Sequence, residues 1–142
     1  MKPNPTRLRL IFWLMLFWSS ALWSASPTVG DVAPDFDATT LSGEPFLLSQ
    51  ALQQGPVYLV FWATWCPHCL AEVPALKALQ SHFSPRLTVL GINIAINDSV
   101  AAVRRYQQEH QLNYPLLFDH SRRLRKRYRA VGTPTQILSY RV

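Results

Sequence analysis

Cysteine is scarce in this 142-residue chain, which has only Cys66 and Cys69. A structural zinc site takes four ligands, usually Cys or His in two close pairs. His82, His110 and His120 show no paired spacing that would complete such a set, so a zinc-built fold is excluded and no metal is expected. Methionine is equally sparse, at two residues, and no Met-rich run of the kind that suits copper is present. Acidic residues number 8 against 14 Lys and Arg, for a formal charge of +6. Lys2, Arg7 and Arg9 supply three of those bases; without them 11 bases face 8 acids, or +3, and the body of the chain is only mildly basic. In the densest basic run, residues 122–129, Leu124 and Tyr128 recur with Val131 at i, i+4 and i+7. That spacing predicts a helix from 121 to 129 with this stripe in the core and its arginines in water. No nucleic-acid partner is expected from it. The length excludes two domains.

A long apolar run is also lacking. A membrane-spanning helix needs about 20 apolar residues, and the apolar core near the N-terminus, residues 10–18, is shorter. Counted from Leu8 to Ala25 it could span with snorkelling flanks. Residues 1–25 therefore read as a targeting segment, with Lys2, Arg7 and Arg9 as its positive end. Cleavage after Ala25 would put Trp23 where a small residue is wanted, so a cleaved signal peptide and an uncleaved anchor through residues 8–25 both remain open. Either way the positive-inside rule puts the domain, residues 27–142, outside the cytoplasm, in the periplasm or tethered to the inner membrane.

What the chain does have is one concentrated stretch. The apolar run Val57-Tyr58-Leu59-Val60-Phe61 leads directly into Trp62-Ala63-Thr64-Trp65-Cys66-Pro67-His68-Cys69-Leu70-Ala71-Glu72. The first part predicts a strand and the second a helix opening at the cysteines. Cys66 falls at the helix N-cap and Pro67 at the first helical position, where a missing N–H costs nothing. Unpaired N–H groups and the positive end of the helix dipole would favour a thiolate at Cys66. Cys69, one turn on, faces the same way and is close enough to close a Cys66–Cys69 disulfide.

The pattern W-A-T-W-C-x-x-C-x-x-E-x-P resembles the active site of the thioredoxin superfamily, and most of all the membrane-tethered branch typified by TlpA and ResA, which is related to the AhpC/TSA proteins. Gly30-x-x-Ala33-Pro34-x-Phe36 is similar to the N-terminal addition of that branch, and Thr133-Pro134 to the superfamily's cis-proline. The resemblance covers residues 29–138. It implies an α/β, thioredoxin-like fold: a central mixed β-sheet flanked by helices, with an N-terminal β-hairpin. The hairpin is expected to pair residues 29–36 with 41–48 through a Ser42-Gly43 turn, followed by a short helix, 50–54, capped by Ser49. Helices are expected at 70–83, with Leu76 and Leu79 inward and Pro74 kinking the axis, and at 97–110. The latter takes Asp98 or Ser99 as N-cap, with Val100, Val103 and Tyr106 inward. Strands are expected at 87–94 and, as a short edge, 114–118. A thioredoxin fold returns after Gln136-Ile137-Leu138 through a further hairpin strand and a helix; the sequence stops at Val142, so these are expected to be missing.

For function, the resemblance implies a thiol–disulfide oxidoreductase with no cofactor, acting on protein thiols and disulfides, with a membrane redox partner. Cys66, exposed, attacks; Cys69 resolves; Glu72 exchanges the Cys69 proton. Pro67 and His68 tune the thiol, a protonated His68 lowering the Cys66 pKa. Trp65, Thr133 and Pro134 meet the substrate, Thr133 through its backbone. The scaffold and Glu72 point to a reductase, such as one serving cytochrome c maturation, whereas Pro67-His68 is the dipeptide of DsbA, a strong oxidant. Peroxidase chemistry is a competitor that fails on its own signature. Peroxiredoxins carry Pro seven and Thr or Ser three residues before the reactive cysteine, and here those positions are Leu59 and Ala63. A copper- or haem-handling chaperone using Cys66, Cys69 and His68, or a non-functional fragment, are the readings outside redox enzymology.

Overall fold

The computed structural model describes residues 27–141; residues 1–25, with the targeting segment and its possible tether, lie outside them. Two strands open the described chain, β1 (Asp37–Thr39) and β2 (Pro45–Leu47), paired antiparallel with Ala38 opposite Phe46. Helix α1 (Leu48–Gln54) leads to β3 (Val57–Trp62), α2 (Pro67–Phe83), β4 (Thr88–Asn93), α3 (Val100–Glu109), β5 (Leu116–Phe118), α4 (Arg123–Arg127) and β6 (Thr135–Ser139). The main sheet has the order β5-β4-β3-β6, with β5, β4 and β3 parallel and β6 antiparallel to β3. This is the mixed α/β sandwich the sequence predicts.

The two central strands are buried on both faces, so they read as continuous apolar runs instead of alternating ones. Val57, Leu59 and Phe61 of β3 and Val89, Leu90 and Ile92 of β4 are fully buried. Gly91 of β4 is a packing requirement: a Cβ there would meet the Leu116 Cδ2 at 2.6 Å and the Trp62 Nε1 at 3.1 Å. Phe36 and Phe61 both pack against Tyr128, with ring centroids 6.0 and 5.7 Å from it. The hairpin shields the sheet where β5 forms its edge, through the Leu41 N–H donated to the Leu116 carbonyl at 2.8 Å.

Several expectations need correction. The hairpin exists, but its strands are three residues each, and residues 29–36 form no strand. Asp35 is used differently: its Oδ1 accepts the Phe36 and Ser49 N–H groups, both at 2.9 Å. It thus caps α1 from 14 residues upstream, and Ser49 makes no side-chain cap, since Leu47 holds the N-cap position. Helix α3 begins at Val100 and not at 97, with Ser99 as its N-cap, its Oγ accepting the Ala102 N–H at 3.1 Å. Val103 and Tyr106 are buried, but Val100 is only partly so. The basic helix is five residues long; Leu124 and Tyr128 are buried, yet Val131 is 82% exposed. Arg129 adopts a left-handed φ of 49°, which turns the chain before the i+7 position, and Ala130 fills the core in its place.

Candidate active site

The redox pair sits where the C-terminal end of β3 meets the N-terminus of α2. Cys66 is the N-cap of α2, in an extended conformation (φ −91°, ψ 108°), and Pro67 is its first residue. Cys66 and Cys69 form a disulfide, their Cα atoms 5.3 Å apart. The Cys66 Sγ accepts the Cys69 backbone N–H at 3.1 Å. The sulfur that would carry the thiolate charge therefore already faces an unpaired helical N–H and the positive dipole end.

Exposure is distributed against expectation. Cys66 is 3% and Cys69 4% exposed, so Cys66 is not the open sulfur expected from the sequence. The physical reason lies in the N-cap geometry: the extended backbone at Cys66 folds its sulfur back over the helix terminus, and the disulfide holds it there. Exposed instead are Trp65, at 51%, and Pro67 and His68.

The turn before Cys66 is fixed by residues that sequence reasoning missed or assigned otherwise. Asp98, an alternative N-cap for α3 from the sequence, reaches the opposite way. Its carboxylate accepts the Thr64 N–H at 2.8 Å, the Thr64 hydroxyl at 2.9 Å and the Asn93 Nδ2 at 2.7 Å. The Trp65 indole N–H donates to the Ile96 carbonyl at 2.7 Å. The supporting loop contains two left-handed residues, Ala95 and Asn97, and the Asn93 side chain, fully buried, accepts the Ala95 N–H at 3.0 Å. The cue for this latch was Asn93 itself, a polar residue at the end of an apolar strand.

Glu72 lies on α2 one turn beyond Cys69 and is partly buried. Its Oε2 accepts the Gln136 Nε2 at 2.6 Å. The Thr133–Pro134 peptide is cis, as the sequence pattern suggested, and both residues are partly buried. The β3–β6 ladder begins at Phe61 opposite Thr135, so it stops short of Thr133. Among the described residues no group of three or more His, Cys, Asp and Glu side chains could hold a metal ion. Nor is any helix there long and apolar enough to cross a membrane.

A mixed sheet with a C-x-x-C disulfide at the start of the helix after β3, and a cis-proline leading into an antiparallel strand, defines a thioredoxin-like protein. Similarity to known proteins narrows this class. The chain belongs to the AhpC/TSA family, whose model matches residues 29–141. Within it the likeness is to the ResA-type branch. The chain is 36% identical over 107 residues to the thioredoxin-like protein YneN of Bacillus subtilis, covering 75% of this chain and 62% of that protein. It is 30% identical over 111 residues to the thiol–disulfide oxidoreductase ResA of Geobacillus kaustophilus, covering 78% and 62%. A solved structure of a secreted Mycobacterium tuberculosis disulfide oxidoreductase, homologous to E. coli DsbE, superposes with a TM-score of 0.62 at 32% identity, covering 75% of this chain and 84% of that one. The chain thus spans about three-fifths of the length of the curated relatives it matches.

Proposed function

We propose that the protein is a thiol–disulfide oxidoreductase that reduces disulfides in other proteins outside the cytoplasm. The observation that carries this reading is the Cys66–Cys69 disulfide at the N-terminus of α2, with a backbone N–H aimed at the Cys66 sulfur. In the reduced protein the Cys66 thiolate attacks a substrate disulfide, forming a mixed disulfide and expelling one substrate thiolate, which takes up a proton. Cys69 then passes its proton to the Glu72 carboxylate and attacks the Cys66 sulfur. The Cys66–Cys69 disulfide forms, and the second substrate thiolate leaves and is protonated in turn. The substrate gains two electrons and two protons; the enzyme dithiol loses them.

Trp65 and the Thr133–Pro134 segment flank the pair as the substrate-docking surface, Thr133 offering its backbone to an extended peptide. Pro67 and His68 set the thiol's acidity. Residues 1–25 serve as a signal peptide or an inner-membrane anchor ahead of the domain at 27–142, and a membrane partner returns electrons to the disulfide. The secreted M. tuberculosis relative supports this location, and ResA's description as a thiol–disulfide oxidoreductase supports the activity. Peroxidase chemistry, which other members of a family so named could carry, is disfavoured here. The positions where it needs Pro and Thr or Ser hold Leu59 and Ala63, both fully buried apolar groups.

The second reading, an oxidant, is favoured by Pro67-His68, whose imidazole is exposed two residues after Cys66. A redox titration of the full chain against glutathione separates the two. A potential near the thioredoxin value of about −270 mV marks a reductase, and one near −120 mV an oxidant. A cysteine pair that exchanges with glutathione at neither potential overturns both.

A further inference from the structure

The group assigned to take the Cys69 proton is itself held by a chain of two side chains from the sheet. Gln136 of β6 donates its Nε2 to the Glu72 Oε2 at 2.6 Å, and the Tyr58 hydroxyl of β3 donates to the Gln136 Oε1. The sheet register makes this possible. Tyr58 pairs with Leu138 and Val60 with Gln136 across β3 and β6, so Tyr58 and Gln136 are diagonal neighbours on one face. That spacing is within reach of a long aromatic side chain.

An amide has a donor end and an acceptor end, and a tyrosine hydroxyl can act as either. With Glu72 ionised, only the Gln136 NH2 can face it, and the Gln136 oxygen then turns to Tyr58. With Glu72 protonated, a half-turn of the amide lets the Gln136 oxygen accept from the acid while Tyr58 accepts from the NH2. Both links of the Glu72–Gln136–Tyr58 chain can therefore be kept in either state. A lysine or arginine in this place could only donate, and its charge would favour the ionised form over the protonated one. Burial and the charge of Glu72 push the Tyr58 hydroxyl above its ordinary pKa, which keeps it protonated and able to play both parts.

We propose that Gln136, backed by Tyr58, is a positioning residue that keeps Glu72 aimed at Cys69 in both of its protonation states. The strand it belongs to leaves directly from Thr133–Pro134, so the segment proposed to dock substrate also holds the acid. This inference rests on the reading of Glu72 as the proton group for Cys69.

The test mixes the reduced full-length protein with oxidised glutathione. Acid quenching and mass spectrometry then follow capture, which forms the Cys66–glutathione mixed disulfide, separately from resolution by Cys69. Gln136→Leu should slow resolution about tenfold, less than the 10²–10⁴ that the proton-transfer group itself contributes, and leave capture unchanged. Tyr58→Phe should act in the same direction but less, and the double variant should be no slower than Gln136→Leu alone. The acidic limb of the resolution profile should move to higher pH in Gln136→Leu, which removes a donor to the carboxylate, and to lower pH in Gln136→Lys, which adds a cation. A purely structural role would not give shifts of opposite sign. If Glu72→Gln slows resolution while the Gln136→Leu profile superimposes on the parent's, Glu72 acts unaided and the proposal is wrong. Equal slowing of capture and resolution in Gln136→Leu overturns it too, since the whole site has then been disturbed. If Glu72→Gln leaves resolution unchanged, the reading of Glu72 fails and takes this inference with it.

Discussion

Asp98 holds Thr64 by both of its donors, the backbone N–H at 2.8 Å and the hydroxyl at 2.9 Å, across 34 residues of sequence. Thr64 lies two residues before the helix N-cap Cys66, so this carboxylate sets where the redox helix begins. Asp98→Ala leaves the Thr64 N–H and the buried Asn93 amide without their acceptor. Hydrogen bonds to a charged group contribute about 1.5–3 kcal/mol each, and the group is only partly buried. We expect a loss of about 2–3 kcal/mol in urea unfolding of the oxidised protein. A change below about 0.5 kcal/mol would show that the latch adds nothing.

Order of attack is the next prediction. Cys66→Ser should abolish exchange with a protein disulfide, whereas Cys69→Ser should accumulate a mixed disulfide, because attack survives and resolution does not. Non-reducing gels of the two variants after incubation with a disulfide-containing protein make the comparison. Trapping by Cys66→Ser instead would reverse the assignment.

His68 should act on the potential. An imidazolium beside Cys66 stabilises the thiolate and hence the reduced form, so His68→Ala should make the potential more negative by tens of millivolts. Identical glutathione titrations at pH 6 would remove His68 from the mechanism.

Alkaline stability follows from two tyrosines. Burial pushes the hydroxyls of Tyr114 and Tyr128 far above their ordinary value of 10.0. A phenol that is harder to ionise when folded contributes stability that is complete below pH 10 and is lost as the pH rises towards the folded value. The urea midpoint should therefore hold from pH 7 to about pH 10 and then fall. Tyr128→Phe should flatten the fall. It should also cost about 1 kcal/mol at neutral pH, through the hydrogen bond from Tyr128 to the Pro34 carbonyl.

What could be read from the sequence was local. A continuous apolar strand followed by Cys-Pro marked both β3 and the N-terminus of α2, because strand burial and N-cap chemistry act over a few adjacent residues. Ser99 capping α3 and the turn at Ser42-Gly43 were legible for the same reason. The relationships that were not legible join distant positions: Asp35 to Ser49, Asp98 to Thr64, Gln136 to Glu72. Each needs a side chain to meet a group far away in sequence, brought near by the tertiary fold, which no local propensity encodes. Val131 was misassigned because helical spacing was extended past Arg129, where the backbone turns left-handed. The exposure of Cys66 was misjudged because sequence fixes its place at a helix terminus but not the fold of its sulfur back onto that terminus.

Strand β3 is hydrogen-bonded along both edges, to β4 from Val57 to Trp62 and to β6 from Val57 to Phe61. Its amides can exchange with solvent only when strands on one side or the other part, whereas the β1–β2 hairpin belongs to a separate two-stranded sheet and can open alone. In a deuterium-exchange experiment the amides of β3 should be among the last to label and those of β1 and β2 among the first. The cysteines would then hang from one of the slowest-opening parts of the described fold. On the proposed reading, a partner protein would have to bring its own disulfide into line with them, and the compliance in the encounter would lie with the client.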